Sequence, residues 1–213
     1  MKEIILGITG ASGTLLGLEL LSELSQVCQT HLIISKNAKK ALWLEQGIKF
    51  DEILIGARSC NDLREIQVDN PSTDTVKNKF NINFKNVILY DNDNIGSKIA
   101  SGSFRTDGMI IAPCSINTLA KVANGLSDTL ITRAAAVALK ERFKLVLGVR
   151  EMPFSSISLH QMSDLSSMGV VIAPPVLGHY AGDENLTQVH KFIVGKWLDA
   201  LGLDHKIYKR WQS

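Results

Sequence analysis

Cysteine is scarce in this sequence of 213 residues, which contains only Cys28, Cys60 and Cys114. The three are odd in number and widely separated, and none lies in a CxxC motif or in a Cys/His spacing typical of zinc sites. These features exclude a disulfide framework and a structural zinc site as the basis of the fold, and no bound metal is expected. Reduced thiols fit an intracellular protein best.

The sequence also lacks a long basic run and a long hydrophobic run. Its 23 Lys and Arg are spread along the chain and the formal net charge is only +2, so no cluster of cations is available to neutralise a nucleic-acid backbone. The apolar segment after Lys2 and Glu3 is far shorter than a membrane span, and no small-residue cleavage site follows it. We therefore expect a cytoplasmic protein with neither a nucleic-acid partner nor a membrane partner.

The composition is otherwise that of an ordinary folded protein, with 45% hydrophobic and 21% charged residues. No internal repeat, low-complexity tract or linker divides the chain. Residues 51–94 break the regular pattern with clusters of Asn, Asp and Lys and with Pro71. We expect residues 1–213 to form a single domain, with residues 51–94 as an irregular elaboration and residues 202–213 as a C-terminal tail.

Short apolar segments alternate with segments of helical periodicity along the rest of the chain. Residues 3–9 are apolar and β-branched at successive positions, which is typical of a strand covered on both faces. Further strands are predicted at residues 31–35, 108–112, 145–149 and 170–173, and helices at 14–27, 36–46, 115–142 in two parts, 156–168 and 184–201, the last capped by Asp183. Strands separated by helices predict an α/β fold with one doubly wound, mostly parallel sheet flanked by helices.

Small and polar residues stand at the predicted strand ends, where parallel sheets bind ligands. The turn at residues 9–13 lets the backbone approach a ligand closely, and Ser12 adds a hydroxyl. Any tight turn between a strand and a helix favours glycine, so the structural and the phosphate-binding interpretations of this turn are equally supported. Ser35 ends the next strand at the same edge.

The segment of residues 112–118 ends a later strand and could contact the same nucleotide. Helix capping is the commoner role for Ser115 and Thr118, and taken alone it is the favoured interpretation of both. Cys114 is better explained as a small core residue than as a nucleophile.

Several charged residues could bind anions. Arg133 and Lys140 are seven residues apart on one helical face, where they could clamp a phosphate or simply face solvent. Arg150 and Glu151 directly follow a predicted strand. They could contact a ligand at the edge of the sheet, or they could form a surface ion pair. Hydroxyl groups could come from residues 101–103 and a phenol from residues 178–180. Lys196 could add an ammonium group.

Taken in order, these motifs resemble the UbiX-type flavin prenyltransferases. The motifs are TGASG at 9–13, ISK at 34–36, Glu45, ASGS at 100–103, APCSINTLA at 112–120, TRAA at 132–135, ALKER at 138–142, LVLGVRE at 145–151 followed by MP, and PPV at 174–176 followed by HY at 179–180. The resemblance extends from residue 3 to about residue 200, and it includes an Arg210-Trp211 pair found in some members. Residues 51–94 do not match well.

The resemblance implies a Rossmann-like or flavodoxin-like sheet that binds reduced FMN as a substrate. It implies that FMN is held by Gly10, Ala11, Ser12, Ser35, Ser115, Ile116, Asn117, Thr118 and Arg150. It implies that dimethylallyl phosphate is held by Ser101, Arg133, Lys140, Tyr180 and Lys196. Because such sites draw on more than one subunit, a homo-oligomer, commonly a dodecamer, is also implied, with a UbiD-type decarboxylase receiving the prenylated FMN.

The implied reaction needs no metal. Dimethylallyl phosphate loses its phosphate as the allyl carbon bonds to flavin N5, and a second bond to the neighbouring ring carbon closes a fourth ring. Cationic Arg133, Lys140 and Lys196 would stabilise the departing phosphate. Glu151 could transfer protons if the protein buries it, while Ser12 would lie near the reacting flavin edge and Glu45 would orient it.

Two alternatives stay open at this point. An FMN-dependent decarboxylase of a cysteine derivative has a similar fold and a loop resembling residues 113–118, in which Asn117 is the shared residue. Against it, no histidine is placed to serve a thiol substrate, since His31 is predicted in a strand and His160 in a helix as structural residues. The second alternative is a flavin store without catalysis. The motifs do not distinguish a phosphate from a pyrophosphate donor.

Overall fold

The computed structural model describes residues 1–50, 80–178 and 185–210, together with the backbone of residues 58–59. The predictions that concern Cys60, Tyr180, Asp183 and Trp211 lie outside the described residues. The assignment of residues 1–213 to one domain includes these parts of the chain and stays a prediction.

The described strands form one sheet, and every strand pair in it is parallel. The strands are β1 (Lys2–Ile8), β2 (Cys28–Ile34), β3 (Arg58–Ser59), β4 (Val87–Tyr90), β5 (Gly108–Cys114), β6 (Leu145–Val149) and β7 (Val171–Ile172). Their order in the 7-stranded sheet is β3-β4-β2-β1-β5-β6-β7. The predicted doubly wound, parallel α/β architecture is therefore confirmed.

Helices cover both faces of the sheet. The helices are α1 (Thr14–Val27), α2 (Lys36–Gln46), α3 (Ile116–Ala123), α4 (Leu130–Glu141), α5 (Ser156–Ser167) and α6 (Leu186–Leu201). The apolar sides of α1, α2 and α6 pack into one core cluster, and those of α3, α4 and α5 pack into a second cluster on the opposite face. No described helix is long and apolar enough to cross a bilayer.

Two sequence predictions need correction. Residues 87–90 are not part of an irregular elaboration, because they form β4, which pairs with β2 and buries Val87 and Tyr90. The polar residues around this short strand concealed it. The last helix begins at Leu186 rather than at residue 184, since the side chain of Asn185 accepts a hydrogen bond of 3.0 Å from the Gln188 N–H and caps it.

Candidate functional site

The strand order reverses between β1 and β5, so the loops after these two strands leave in opposite directions. A crevice opens at such a reversal, at the carboxyl ends of the strands. Buried Thr9 ties the two loops together: its hydroxyl donates to the Pro113 carbonyl at 2.9 Å and accepts from the Ser115 N–H at 2.8 Å. The crevice therefore has a fixed floor.

Glycine is required in the first of these loops. A Cβ atom at Gly10 would overlap the Cβ of Asn37 and lie 3.0 Å from the Asn37 carbonyl carbon, so the loop could not approach α2 as closely with any other residue. Gly13 has φ = 88°, a left-handed conformation that side chains other than glycine rarely adopt. The structural interpretation of this turn is thus confirmed, and it leaves room for a ligand-binding role.

A cavity of about 420 Å³ lies at this reversal and is called here the switch-point cavity. Its lining residues are Thr9, Gly10, Ser35, Lys36, Asn37, Asn92, Asp93, Ser115, Asn117, Thr118, Lys121, Thr129, Ile131 and Thr132. The volume falls within the range of small-molecule and cofactor sites. The lining is rich in hydroxyl and amide groups, as expected for a site that binds a polar ligand.

The N-terminal ends of three helices meet at the switch-point cavity. Ser35 caps α2 by accepting from the Ala38 N–H at 3.1 Å, and Ser115 caps α3 by accepting from the Thr118 N–H at 3.3 Å. Thr129 caps α4 in a reciprocal arrangement with Thr132. Capping is thus confirmed for Ser115, but a cap uses only part of the N–H groups at a helix start. The N-terminal ends of three helices make the cavity a favourable place for an anion.

Two ammonium groups reinforce that positive potential. Lys36 and Lys121 both line the cavity. The Nζ of Lys36 lies 2.6 Å from Asp93, and the Nζ of Lys121 is hydrogen-bonded to Asp128, whose pKa it lowers. Both carboxylates are exposed, so an anionic ligand that replaced Asp93 or Asp128 at its lysine would leave the displaced carboxylate in contact with water.

Ser12 and Glu45 lie beside this cavity. Ser12 is exposed in the turn that follows Gly10, and the Gly13 N–H donates a hydrogen bond of 3.1 Å to Glu45 Oε2. The structure therefore brings together the two residues for which the resemblance implies roles near the flavin. Ala11, in the same turn, is buried.

Arg150 and Glu151 lie at the same edge of the sheet. The Arg150 N–H donates to the Cys114 carbonyl at 3.0 Å, so the segment after β6 follows the end of β5. Both side chains are exposed, and Glu151 Oε1 accepts from the Met152 N–H at 3.0 Å. The burial that the proton-transfer interpretation of Glu151 requires is not provided by the described part of the chain.

Ser101, Arg133 and Lys140 form a second group on the side of α4. Arg133 Nε donates to the Ala100 carbonyl at 3.3 Å, and a Cβ atom at Gly102 would lie 2.6 Å from Lys140 Nζ. Lys140 is also hydrogen-bonded to Glu141. Because a helix rises about 1.5 Å per residue, Lys140 lies roughly 15 Å along α4 from the helix start at the switch-point cavity.

Lys196 lies on the opposite face of the sheet, on α6, with its Nζ 3.8 Å from Asp199 Oδ2. It lines a second, largely apolar cavity of about 510 Å³, called here the Lys196 cavity. The other lining residues are Val171, Ala173, Pro174, Val176, Phe192, Ile193, Trp197, Asp199 and Ala200. Within one chain, Lys196 is therefore not brought together with Arg133 and Lys140.

The remaining reactive groups have structural roles. Cys114 is fully buried, and burial raises the pKa of its thiol to about 12, which confirms a core residue rather than a nucleophile. His31 is buried between Tyr90 and Glu3 in β2, and its burial lowers its pKa. His160 lies in α5 with Nδ1 2.8 Å from the Ser156 carbonyl oxygen.

Comparison with known proteins assigns the family. The model of the flavoprotein family matches residues 1–198. A flavin prenyltransferase UbiX from Campylobacter jejuni is 43% identical over 211 residues, which cover 99% of each chain. This chain belongs to the UbiX-type flavin prenyltransferases.

Solved structures of UbiX-type proteins agree with that assignment. A crystal structure of AnUbiX (PadA1) in complex with FMN and dimethylallyl pyrophosphate has a TM-score of 0.79, 33% identity and coverage of 100% of this chain and 98% of the other. A dodecameric FMN-dependent UbiX-like decarboxylase from Escherichia coli O157:H7 has a TM-score of 0.78, 37% identity and coverage of 99% and 100%. A cysteine decarboxylase of thioviridamide biosynthesis, at 14% identity, covers 95% of this chain and 99% of its own with a TM-score of 0.57, and it shares the fold alone.

The switch-point cavity is also lined by residues that the sequence patterns did not predict as site residues. These are Lys36, Asn37, Asn92, Asp93, Lys121, Thr129, Ile131 and Thr132. Asn92 follows β4 and joins it to α4, accepting from the Leu130 N–H with its carbonyl and from the Ile131 N–H with its side chain. A strand predicted at residues 87–90 would have pointed to Asn92 and Asp93, because polar residues that follow a parallel strand are candidates for ligand binding.

Proposed function

We propose that this protein is a flavin prenyltransferase that joins a dimethylallyl group to reduced FMN. One observation carries the proposal, namely the 43% identity to a flavin prenyltransferase over 99% of both chains. The switch-point cavity supports it independently, because it combines helix N-termini, hydroxyl groups and two lysines in the manner of a site for a phosphate-bearing ligand.

We propose that FMN binds at the switch-point cavity with its phosphate toward the helix N-termini. Residues that follow four strands would hold it: Gly10, Ala11, Ser12, Ser35, Ser115, Ile116, Asn117, Thr118 and Arg150. The donor set fits the ligand, since Ser35, Ser115 and Thr118 offer hydroxyls to a phosphate and the glycine turn offers backbone amides to a flavin ring. FMN supplies the nucleophilic ring atoms of the reaction.

The residues proposed for dimethylallyl phosphate lie on two faces of the chain. Ser101, Arg133 and Lys140 lie on the α4 side, and Lys196 lies on the α6 side. The remaining proposed contact, Tyr180, is outside the described residues. We infer that neighbouring subunits complete each site, so the protein would act as a homo-oligomer. The dodecameric UbiX-like relative supports the same subunit count here.

In the proposed reaction the C–O bond between the allyl carbon and phosphate breaks as that carbon bonds to flavin N5, which gives up its proton. The double bond of the prenyl group then takes up a proton, and its tertiary carbon bonds to the adjacent ring carbon, which loses its own proton. Lys140, Arg133 and Lys196 would stabilise the negative charge that grows on the phosphate. Glu151 would exchange protons with the phosphate and the flavin once a neighbouring subunit covers it. Glu45, held by the Gly13 N–H, would orient the ring beside Ser12.

The decisive experiment incubates the protein anaerobically with reduced FMN and dimethylallyl phosphate and measures the mass of the extracted flavin. A gain of one prenyl unit is expected. Lys140→Ala should retain FMN and lose at least about 100-fold in rate, because the leaving group loses a positioned cation. Exposed Lys144 provides the matched control, and Lys144→Ala should keep the wild-type rate.

An unchanged flavin, with reduced FMN bound throughout, would contradict the proposal. A cysteine-derivative substrate would then be tested, with carbon dioxide release as the readout. Delivery of the product to a UbiD-type decarboxylase in the cytoplasm belongs to the same proposal. Restored activity of a decarboxylase lacking its cofactor, on mixing with the reaction product, would support it.

A further inference from the structure

The last described part of the chain, residues 203–210, folds back on α6 and is called here the C-terminal segment. Leu203 and Ile207 pack against the core, and one carboxylate on α6 supplies polar contacts to the rest of the segment. Asp199 Oδ2 accepts a hydrogen bond of 2.6 Å from the Tyr208 hydroxyl, and Asp199 Oδ1 lies 2.8 Å from Arg210 Nη2 and 3.0 Å from His205 Nε2. The C-terminal segment therefore depends on Asp199 for three polar contacts.

Asp199 stays ionised across the working pH range of a protein. Partial burial opposes ionisation, but hydrogen bonds from Arg210, Tyr208 and His205 outweigh it and lower the pKa of Asp199 to about 2. Charge-assisted hydrogen bonds of this kind are roughly twice as strong as neutral ones. The C-terminal segment is thus attached in part by hydrogen bonds to an ionised carboxylate.

The C-terminal segment reaches the Lys196 cavity through two aromatic rings. The ring of Tyr208 lies directly on the α6 backbone, where a Cβ atom at Gly195 would overlap it. Tyr208 contacts Phe192 edge to face, with ring centroids 5.3 Å apart. Phe192 lines the Lys196 cavity and lies against Gly178, where a Cβ atom would be 2.7 Å from its Cζ atom.

The same carboxylate also faces Lys196. Lys196 Nζ lies 3.8 Å from Asp199 Oδ2, one helical turn away on α6. Asp199 thus lies near the ammonium group that is proposed to bind the phosphate. Through Tyr208 and Phe192 it is also connected to the loop of residues 173–178. That loop leads in sequence to Tyr180, which is also proposed to bind the phosphate.

We propose that Asp199 is a positioning residue for dimethylallyl phosphate, which fastens the C-terminal segment onto α6 and so fixes Lys196 and the 173–178 loop at the Lys196 cavity. This inference rests on the proposed function. Asp199 lines the Lys196 cavity, but its proposed role is to hold Lys196 and the 173–178 loop rather than to contact a reacting atom. Its effect is on the binding of dimethylallyl phosphate rather than on FMN, whose proposed site lies at the reversal between β1 and β5.

The test measures kcat and KM for dimethylallyl phosphate at saturating reduced FMN, and the affinity for FMN, in the full-length protein. Asp199→Asn should raise KM about tenfold with kcat and FMN affinity within about twofold, because the amide lacks the charge that pairs with Arg210 and offers one acceptor oxygen instead of two, while Lys196 stays charged. Tyr208→Phe removes one donor and keeps the ring, so a KM increase of about threefold is expected. Asp164→Asn, an exposed carboxylate on α5, is the matched control and should leave KM unchanged.

Coupling to Lys196 distinguishes positioning from general destabilisation. If Asp199 acts partly through Lys196, the double variant Lys196→Ala/Asp199→Asn should raise KM by less than the product of the two single effects. An unchanged KM in Asp199→Asn and Tyr208→Phe would overturn the inference. So would a lower KM in Asp199→Asn, which would mean that Asp199 merely competes with the phosphate for Lys196.

Failure of the inference can be told apart from failure of the proposed function. If the wild-type protein yields no prenylated flavin, the proposed function fails. The fastening is then judged by amide hydrogen exchange. Faster exchange at residues 203–210 and 173–178 in Asp199→Asn supports it, and unchanged exchange overturns it.

Discussion

The switch-point cavity is lined by backbone turns, capped helix starts and mostly polar side chains, whereas the Lys196 cavity is lined by mostly apolar side chains and by a loop that rests on an aromatic ring. The first takes its shape from the sheet, because Thr9 and Gly10 follow a central strand. The second takes its shape from contacts between side chains beside β7, the last strand of the sheet. Changes at the first should affect FMN, and changes at the second should affect dimethylallyl phosphate.

The largest effect is expected from Gly10→Ala. The added Cβ would overlap Asn37, a neighbour on a helix start that cannot move aside as the end of a flexible side chain can. We expect a loss of roughly 2 kcal/mol in the free energy of unfolding, typical of overpacking, and a loss of FMN affinity. Calorimetry and fluorescence titration with FMN would measure both.

Gly96→Ala is the control for that change, because its Cβ would meet only Asn94 Oδ1 at 3.5 Å, an ordinary contact distance. Its FMN affinity should equal that of the wild type. Unaltered FMN binding in Gly10→Ala would show that the backbone of this turn is not part of the FMN site.

Thr9→Val tests the floor of the switch-point cavity. Valine keeps the shape of threonine but removes the hydroxyl that joins Pro113 to Ser115, so the Ser115 N–H loses its partner. A loss of about 1–3 kcal/mol is expected for a buried donor left unpaired. Denaturant unfolding would measure it, and FMN affinity should fall in parallel.

Thr30→Val is the matched control. Thr30 is also buried in the sheet, and within the described residues its hydroxyl has no hydrogen-bond partner. This variant should be as stable as the wild type or more stable. Equal losses in both variants would mean that the Thr9 bridge is unimportant.

Gly178→Ala addresses the Lys196 cavity. The added methyl would push Phe192 aside, which a terminal ring can partly accommodate, so stability should change little. We expect KM for dimethylallyl phosphate to rise about threefold to tenfold without a change in FMN affinity. The double variant Gly178→Ala/Phe192→Leu should reverse part of the rise in KM. A change in Gly178→Ala that is confined to FMN affinity would refute the assignment of this cavity to dimethylallyl phosphate.

The smallest effect on ligand binding is expected from Ser35→Ala. Loss of this cap should cost about 1 kcal/mol, together with a several-fold loss of FMN affinity. Ser155 caps α5 in the same way, accepting from the Ser158 N–H at 3.2 Å, and it does not line the switch-point cavity. Ser155→Ala should therefore lose the same stability and none of the FMN affinity. Equal FMN affinities in the two variants would remove Ser35 from the site.

Residue patterns predicted most of the sheet because each element carries its own signal. The apolar run at residues 108–112 and the helical spacing at residues 14–27 depend only on near neighbours in the chain, and both elements are present. β4 was missed because it is a strand of only 4 residues between polar clusters. Its pairing with β2, which decides its place, is a contact between distant parts of the chain.

The same distinction holds for the candidate site. By itself the sequence determined the parallel α/β class, the glycine turn at residues 9–13 and the placement of Ser35 and Ser115 at strand ends, because these follow from local periodicity and backbone sterics. Only the tertiary structure decided that Lys36, Asn92, Lys121 and Thr129 share one cavity, and that Lys196 lies on the face opposite Lys140. Which residues meet depends on the order of the strands and on the face of the sheet that each helix covers. Both are decided by packing between distant parts of the chain rather than by local sequence.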